Sequence, residues 1–349
     1  MKAPRTIKFT AYLLGFVGAA LLTGLMISQG AADVIRAVAS VGWGLAAISG
    51  LHIAKLLSDT IGWLMVIPKR DRLRLHTGLW IHWLGESVSD LLPTARLGGD
   101  IITARLAASE GMALISAVAS MLVDVTACVF TKMIYTVVGL VLLVAVTGQT
   151  SLVGPAAIGI LIGILAIAGF YGIQRLGVFG WGAAIASRLA HSSSWQLLKQ
   201  NGESLDRTVQ RFYGRRRGVL ACCAFAATSW VISAGEIWIA LFALGVSTSF
   251  TTALILESVA QAVRGALFFV PGALGVQEGG YLLVGGLLGI HGEAALALSL
   301  IRRVRELILG IPGLIAWQLI EGGRLWRTRS FPVDQDTHRF THVPTRTCR

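Results

Sequence analysis

Charge is scarce in this chain: only 14% of its 349 residues are Asp, Glu, Lys or Arg, against about 25% in a soluble domain. With 54% hydrophobic residues and a mean hydropathy of +0.71, that scarcity excludes a soluble globular domain and implies an integral membrane protein. Cysteine is also rare. Cys128 stands alone in one apolar run, Cys222 and Cys223 are adjacent in another, and Cys348 lies in the tail, so neither a disulfide framework nor metal-ligand spacing is present. Several motifs are missing. There is no G-x-x-x-x-G-K-[ST] to hold a nucleotide, no H-E-x-x-H and no G-x-S-x-G. No closely spaced aspartates follow "ARLGGD" (95–100) to hold Mg²⁺. Enzymatic chemistry is poorly supported, and nothing calls for a cofactor or a metal.

What is present is long apolar runs, the physical requirement for spanning helices in a solvent that offers the backbone no hydrogen-bond partner. They fall near 9–28, 34–57, 112–129, 133–147, 152–173, 218–244 and 295–320, with broken elements near 77–109 and 251–290. The fold class expected is all-α and polytopic. The first run follows a basic stretch but is long for a signal sequence and lacks an A-x-A site, so we expect an uncleaved helix. Six of the ten tryptophans, Trp80, Trp83, Trp181, Trp195, Trp317 and Trp326, fall near ends of apolar runs and suit interface belts.

The net charge of +12 is not spread as in a nucleic-acid binder. It concentrates in the N-terminal segment, in "PKRDRLR" (68–74), in "KQNGESLDRTVQRFYGRRR" (199–217) and in "GGRLWRTR" (322–329). Short basic loops beside spanning helices follow the positive-inside rule, which places these segments and both termini in the cytoplasm, within reach of anionic headgroups. Placing Arg70 and Arg215 on one side demands an even number of crossings between them. Either the element at 77–109 crosses, or two of the three runs at 112–129, 133–147 and 152–173 count as one. The expected organisation is a transmembrane domain over 1–322, with a first half at 9–173, a basic connector at 174–217 and a second half at 218–322. A polar, disordered tail is expected over 323–349.

Two segments share a pattern: "ESVSDLLPTARLGGDIITARL" (86–106) and "ESVAQAVRGALFFVPGALGVQEGG" (257–280). Each begins Glu-Ser-Val, runs to a proline, turns and resumes beside a carboxylate. The Glu-to-Pro spacing is 7 residues in one and 14 in the other, about two helical turns apart, which keeps a common face. Pro93 and Pro271 bias Leu92 and Val270 away from the helical region, and Gly98, Gly99, Gly272 and Gly275 permit tight backbone. The pattern predicts an internal repeat of two broken helices. The half-helices that begin near Asp100 and Gln277 would present free N–H groups, a ready anion site. Paired breaks in two halves point to a binding site at membrane depth.

Ionisable residues in a membrane segment cost several kcal/mol and face the interior. His82, Glu86 and Asp90 form one helical stripe, and Glu257, Gln261 and Arg264 form another. Arg96, Asp100 and Arg105 surround the first break and Glu278 follows the second. Arg302, Arg303, Arg305 and Glu306 interrupt the last apolar region, and Asp124, Lys132 and Glu236 complete the set. On the functional reading, Arg96, Arg105, Arg264, Arg302, Arg303 and Arg305 bind a lipid phosphate, and the carboxylates pair with them or carry protons, with Asp124 and Glu257 the candidates for a proton coupling that passive scrambling would not need. On the structural reading, the same arginines neutralise carboxylates to hold helices together. Gly159 with Gly163, and Gly285 with Gly289, are small-xxx-small pairs for helix packing. His338 and His342 lie in a polar tail and are not expected to bind metal.

The segments "GESVSDLLPTARLGGDIITARLAASEG", "VDVTACVFTKMIYTVVGLVLL", "FVPGALGVQEGG" and "RRVRELILGIPGL" resemble the lysylphosphatidylglycerol synthase transmembrane (flippase-type) family, and most of all its hopanoid-biosynthesis-associated branch. The resemblance covers roughly residues 10–322. It implies a bacterial inner-membrane protein related to domains that flip aminoacylated phospholipids, with broken-helix segments at Pro93 to Asp100 and Pro271 to Glu278. The family's arginine before "PGL" would correspond to Arg302, Arg303 or Arg305. Synthases of this family continue into a soluble aminoacyltransferase domain. Here only about 28 polar residues follow the last apolar region, so aminoacyl transfer is not expected. The reading is a translocase for a polar-headgroup or hopanoid-related lipid, with membrane lipids as partners. The alternatives are an accessory subunit that docks lipid-biosynthesis enzymes through 199–217, and a membrane-embedded transferase.

Overall fold

The computed structural model describes residues 41–92, 97–148, 193–266 and 276–329, with scattered helical positions between 154 and 172. Every regular element among the described residues is a helix. In chain order they are α1 (Trp43–Val66), α2 (Leu75–Leu91), α3 (Leu97–Ser109), α4 (Leu114–Thr147), α5 (Ser193–Gly214), α6 (Arg216–Ala243), α7 (Phe250–Ala266), α8 (Val276–Leu287) and α9 (Gly292–Arg329). The expected run at 9–28 and the tail at 330–349 lie outside the described residues.

Two of the described helices, α4 and α6, are long and apolar enough to cross a membrane on composition alone. The expected runs at 112–129 and 133–147 prove to be one helix of 34 residues, about 51 Å at 1.5 Å per residue. Lys132, which divides them in sequence, does not interrupt the helix. Its ammonium lies 5.5 Å over the Trp230 ring and 3.5 Å from Gln261 Oε1.

Three helix ends are closed by the same device. Gly111, Gly245 and Gly289 take φ of 97°, 76° and 77°. The residue after each donates back five positions: Met112 to the Ala107 carbonyl (3.2 Å), Val246 to Leu241 (2.9 Å) and Ile290 to Gly285 (2.8 Å). This is the Schellman closure, which needs a left-handed residue that glycine supplies without strain. It reverses the chain tightly before α4, α7 and α9. By contrast α2 ends at Leu92 in extended backbone (φ −103°, ψ 143°), the conformation a residue before proline is driven to adopt.

Helices α2 and α3 form a hairpin. Gly99 of α3 abuts Ser89 and the Gly85 carbonyl of α2, and Thr103 abuts Gly85. A second hairpin joins α7 and α8, with Gly280 against Ala260 and Val263. The long helix after each hairpin packs on the other hairpin: α4 on α7 and α9 on α2. Gly139 of α4 meets Ser258, and Gly313 of α9 meets Ser87. These two serines are the middle residues of the two Glu-Ser-Val segments.

Helices α1 and α6 run antiparallel at the centre and share the largest helix–helix contact. Glycines set their separation: a Cβ at Gly218 would stand 2.6 Å from the Met65 carbonyl oxygen, and one at Gly44 2.9 Å from Ala243 Cβ. Such small-residue seams let dispersion act where lipid removes the hydrophobic drive. The Arg215 guanidinium donates to the Val66 carbonyl at 2.9 Å and ties the basic end of α6 to the end of α1. The basic stretch at 199–217 is not a loop but mostly helix α5, which packs on α4 through buried Val209 and Phe212.

Candidate functional site

At the middle of the bundle, ionisable side chains from α1, α2, α6, α7 and α9 join in one buried network. Glu86 of α2 lies 3.4 Å from Lys55 Nζ and 3.5 Å from His52 Nε2. Lys55 also bonds Asp59 one turn along α1 at 2.9 Å. The other imidazole nitrogen of His52 faces Glu236 at 3.1 Å and touches the Arg305 guanidinium. Arg305 donates to Glu236 Oε2 at 2.7 Å and lies 3.7 Å from Glu306. Glu306 in turn receives Arg303 at 3.2 Å and lies 3.7 Å from Arg264.

A second group adjoins it. Arg302 donates to Glu257 Oε2 at 2.5 Å and to the Tyr281 hydroxyl at 2.7 Å. Tyr281 donates to the same carboxylate oxygen at 3.1 Å, while Ser233 and Gln261 donate to Oε1 at 2.7 and 2.9 Å. Glu257 is fully buried, and all four of these donors converge on its two oxygens. Such saturation suits a pin between α6, α7, α8 and α9.

Among the described residues, Lys55, Arg264, Arg302, Arg303 and Arg305 are paired with Asp59, Glu86, Glu236, Glu257 and Glu306, so cations and anions face each other in similar number. The balance has a physical reason, because an uncompensated charge at this depth is strongly unfavourable. The buried Nε–H groups of Arg302 and Arg305 meet no acceptor among the described residues.

Beside the network lies a cavity of about 320 Å³ between α1, α2 and α9. His52, Glu86, Asp90, Arg305 and Glu306 border it, while the surface it presents is almost wholly apolar, with Leu56, Leu79, Trp80, Trp83 and Leu309 among its lining. Trp80 and Ile53, half-exposed, stand on its outer rim. Trp83 donates from its indole to the Leu309 carbonyl at 3.0 Å, which fixes that side of the wall. Helices α2 and α7 end here: Leu91, the last residue of α2, packs against Gly310, and Arg264, two residues before the end of α7, pairs with Glu306.

The residues singled out in the sequence are distributed as follows. Glu86, Asp90 and Arg305 line the cavity, while Glu257, Arg264, Arg302 and Arg303 belong to the adjoining network. Gly98 and Gly99 lie in the first turn of α3, with Gly99 in the hairpin contact. Asp100 is in that same first turn, and Arg105 is exposed on α3. Asp124 is separate from Glu257, in an apolar cluster at the basic end, where Cys222 donates to it at 3.3 Å. His82 of the α2 stripe turns toward Thr60 and Trp63 of α1. Pro93, Arg96, Pro271, Gly272, Gly275 and the Glu278 side chain lie outside the described residues.

Sequence reasoning passed over His52, Lys55 and Asp59. Their spacing of three and four residues inside an apolar run marks one helical face, and that signal was available. Tyr281 and Ser233 carried none, since only tertiary contact makes them partners of Glu257.

These features define an all-α membrane protein with a polar centre. The chain belongs to the family described as the lysylphosphatidylglycerol synthase TM region, whose model matches residues 12–313. No curated protein and no solved structure matches it. Family membership places the chain in membrane lipid handling.

Proposed function

We propose that this protein is a translocase that carries a lipid headgroup across the bilayer along the cavity between α1, α2 and α9, while the apolar part of the lipid stays outside in the membrane. The observation that carries the reading is the meeting of the ends of α2 and α7 at residues 306–310, beside an apolar cavity with an aromatic rim that the buried charge network borders. A headgroup phosphate at Arg305 would accept from the Nε–H that lacks a partner, and would compete with Glu236 and Glu306 for the guanidinium.

The membrane frame follows from the positive-inside rule. With 68–74 and 199–217 in the cytoplasm, α2–α3 dips in from the cytoplasmic side and α7–α8 from the opposite side. The two halves then form an inverted repeat, the arrangement that lets one central site face either leaflet. On this reading the protein sits in a bacterial inner membrane. It needs no step of covalent chemistry, and the balanced network suits partner exchange better than fixed anion capture.

The test is lipid equilibration in proteoliposomes, with fluorescent phosphatidylglycerol, a zwitterionic phospholipid and a hopanoid-type lipid each placed in one leaflet. The expected result is faster equilibration with protein than without for at least one of them, slowed at least about tenfold by Arg305→Gln, the loss of ~1.4 kcal/mol of interaction in the crossing state. Equal rates with and without protein for all three lipids would overturn the reading.

A further inference from the structure

A second cavity, of about 870 Å³, runs along α4 and shares no lining residue with the first. Its long wall is Ala127, Phe130, Ile134 and Val138 of α4, faced by Leu220 of α6 and Ile164. Phe130, Ile134, Val138, Leu220 and Ile164 are each 44–68% exposed, so the groove opens to the outside of the bundle. From Val123 to Val138 it follows 15 residues of helix, about 22 Å, longer than the ~15 Å half-thickness of a hydrocarbon core.

Its end at the basic side is different. There Tyr213 and Tyr171 meet edge to face at 5.4 Å, and Arg216 stands on the rim. Arg215 is turned inward onto the Val66 carbonyl, whereas Arg216, Arg217 and Arg211 are exposed. The groove therefore joins an apolar trough longer than a leaflet to a cationic mouth at the membrane surface.

We infer that this groove binds one anionic phospholipid as a resident ligand, an acyl chain along Phe130, Ile134 and Val138 and the phosphate at Arg216. Charge complementarity selects the occupant: a neutral hydrophobe would fill the trough without using the arginine, and a free phosphate would leave the trough empty. The amphipathic helix α5, packed on α4 with Tyr213 in its last turn, is held at the headgroup level by the same lipid. The inference does not depend on translocation through the other cavity, so either can fail alone.

The experiment uses the purified full chain in phosphatidylcholine nanodiscs doped with phosphatidylglycerol that carries a diazirine on one acyl chain. After irradiation, labelled positions are read by mass spectrometry. Labelling is expected to concentrate on 127–138 and 219–223. Arg216→Gln should lower it about fivefold, the ~1 kcal/mol that one arginine contributes at an anionic surface, and should leave labelling by diazirine-phosphatidylcholine unchanged. Ile134→Trp should lower labelling with both lipids, and Leu220→Trp serves the same purpose should Ile134→Trp fail to fold. Leu283→Trp, on the exposed face of α8, should change nothing. Labelling of the groove no stronger than that of Phe242 and Leu283, or unaffected by filling the trough, would overturn the inference. Equal loss with both headgroups in Arg216→Gln would also overturn it, since the arginine would then not be reading charge.

Discussion

Arg305 of α9 holds Glu236 of α6 at 2.7 Å with only a few per cent of either side chain exposed. Sixty-nine residues separate them in sequence, and the bond ties the last long helix to the central α1–α6 pair. Removing one partner of such a buried pair strands the other, at about 3–5 kcal/mol. Glu236→Gln and Arg305→Met are each expected to lower the melting temperature of the purified protein. A double-mutant cycle should return a coupling of about 1–3 kcal/mol. A coupling near zero would mean that His52 and Glu306 replace the lost partner fully.

The cavity prediction separates filling from charge. Leu79→Trp places an indole in the space between α1, α2 and α9 without touching the ion pairs. Lipid equilibration should fall about tenfold, ~1.4 kcal/mol in the barrier, at an unchanged melting temperature. Normal transport in a stable Leu79→Trp protein would remove this cavity from the path.

The α7–α8 hairpin is checked by cross-linking. A Cβ at Gly280 would stand 3.9 Å from Ala260 Cβ, inside the range for a disulfide. In a background with the four native cysteines replaced, Ala260→Cys with Gly280→Cys should oxidise to a bridge seen by loss of thiol labelling. Persistent free thiols under oxidant would show that α8 does not fold back on α7.

Helix seams predict opposite outcomes for different glycines. Gly218→Val drives a side chain into the Met65 carbonyl and should destabilise the protein by at least about 1–3 kcal/mol. Nothing lies within 4 Å of a Cβ at Gly50, so Gly50→Ala should be neutral or stabilise by up to ~1 kcal/mol through helix propensity. Thermal unfolding of the two variants side by side gives the comparison.

Topology is tested by single cysteines labelled from one side of the membrane. Arg70→Cys, in the basic turn between α1 and α2, and Ser247→Cys, in the turn between α6 and α7, are both exposed positions. An impermeant reagent applied to intact cells should modify Ser247→Cys and spare Arg70→Cys. Labelling of both or the reverse pattern would contradict the inverted arrangement.

Much of the bundle was legible because apolar runs and glycine turns act locally. Leu92 adopts the extended backbone that the following proline requires, and the 218–244 run emerges as α6 at Arg216–Ala243. The division of α4 at Lys132 was misread for a definite reason. Hydropathy charges the lysine as if it faced lipid, whereas Trp230 and Gln261 lie beside it in the bundle. Of the two ways the sequence offered to count the runs between Arg70 and Arg215, the structure has one: 112–129 and 133–147 are a single helix. Asp124 and Glu257 looked alike in sequence, two carboxylates in apolar runs, yet one sits beside a thiol and the other receives four donors.

By itself the sequence determined that this chain is helical and belongs in a membrane, and where α2 ends, because backbone satisfaction in lipid and the stereochemistry of proline are properties of short segments. Only the tertiary structure decided which charges meet. Arg305 chooses Glu236, and Glu257 gathers Arg302, Tyr281, Ser233 and Gln261, through contacts between helices far apart in the chain. A charge in a low-dielectric interior is stable only beside its complement, and nothing in a one-dimensional pattern says which of ten such groups will stand there.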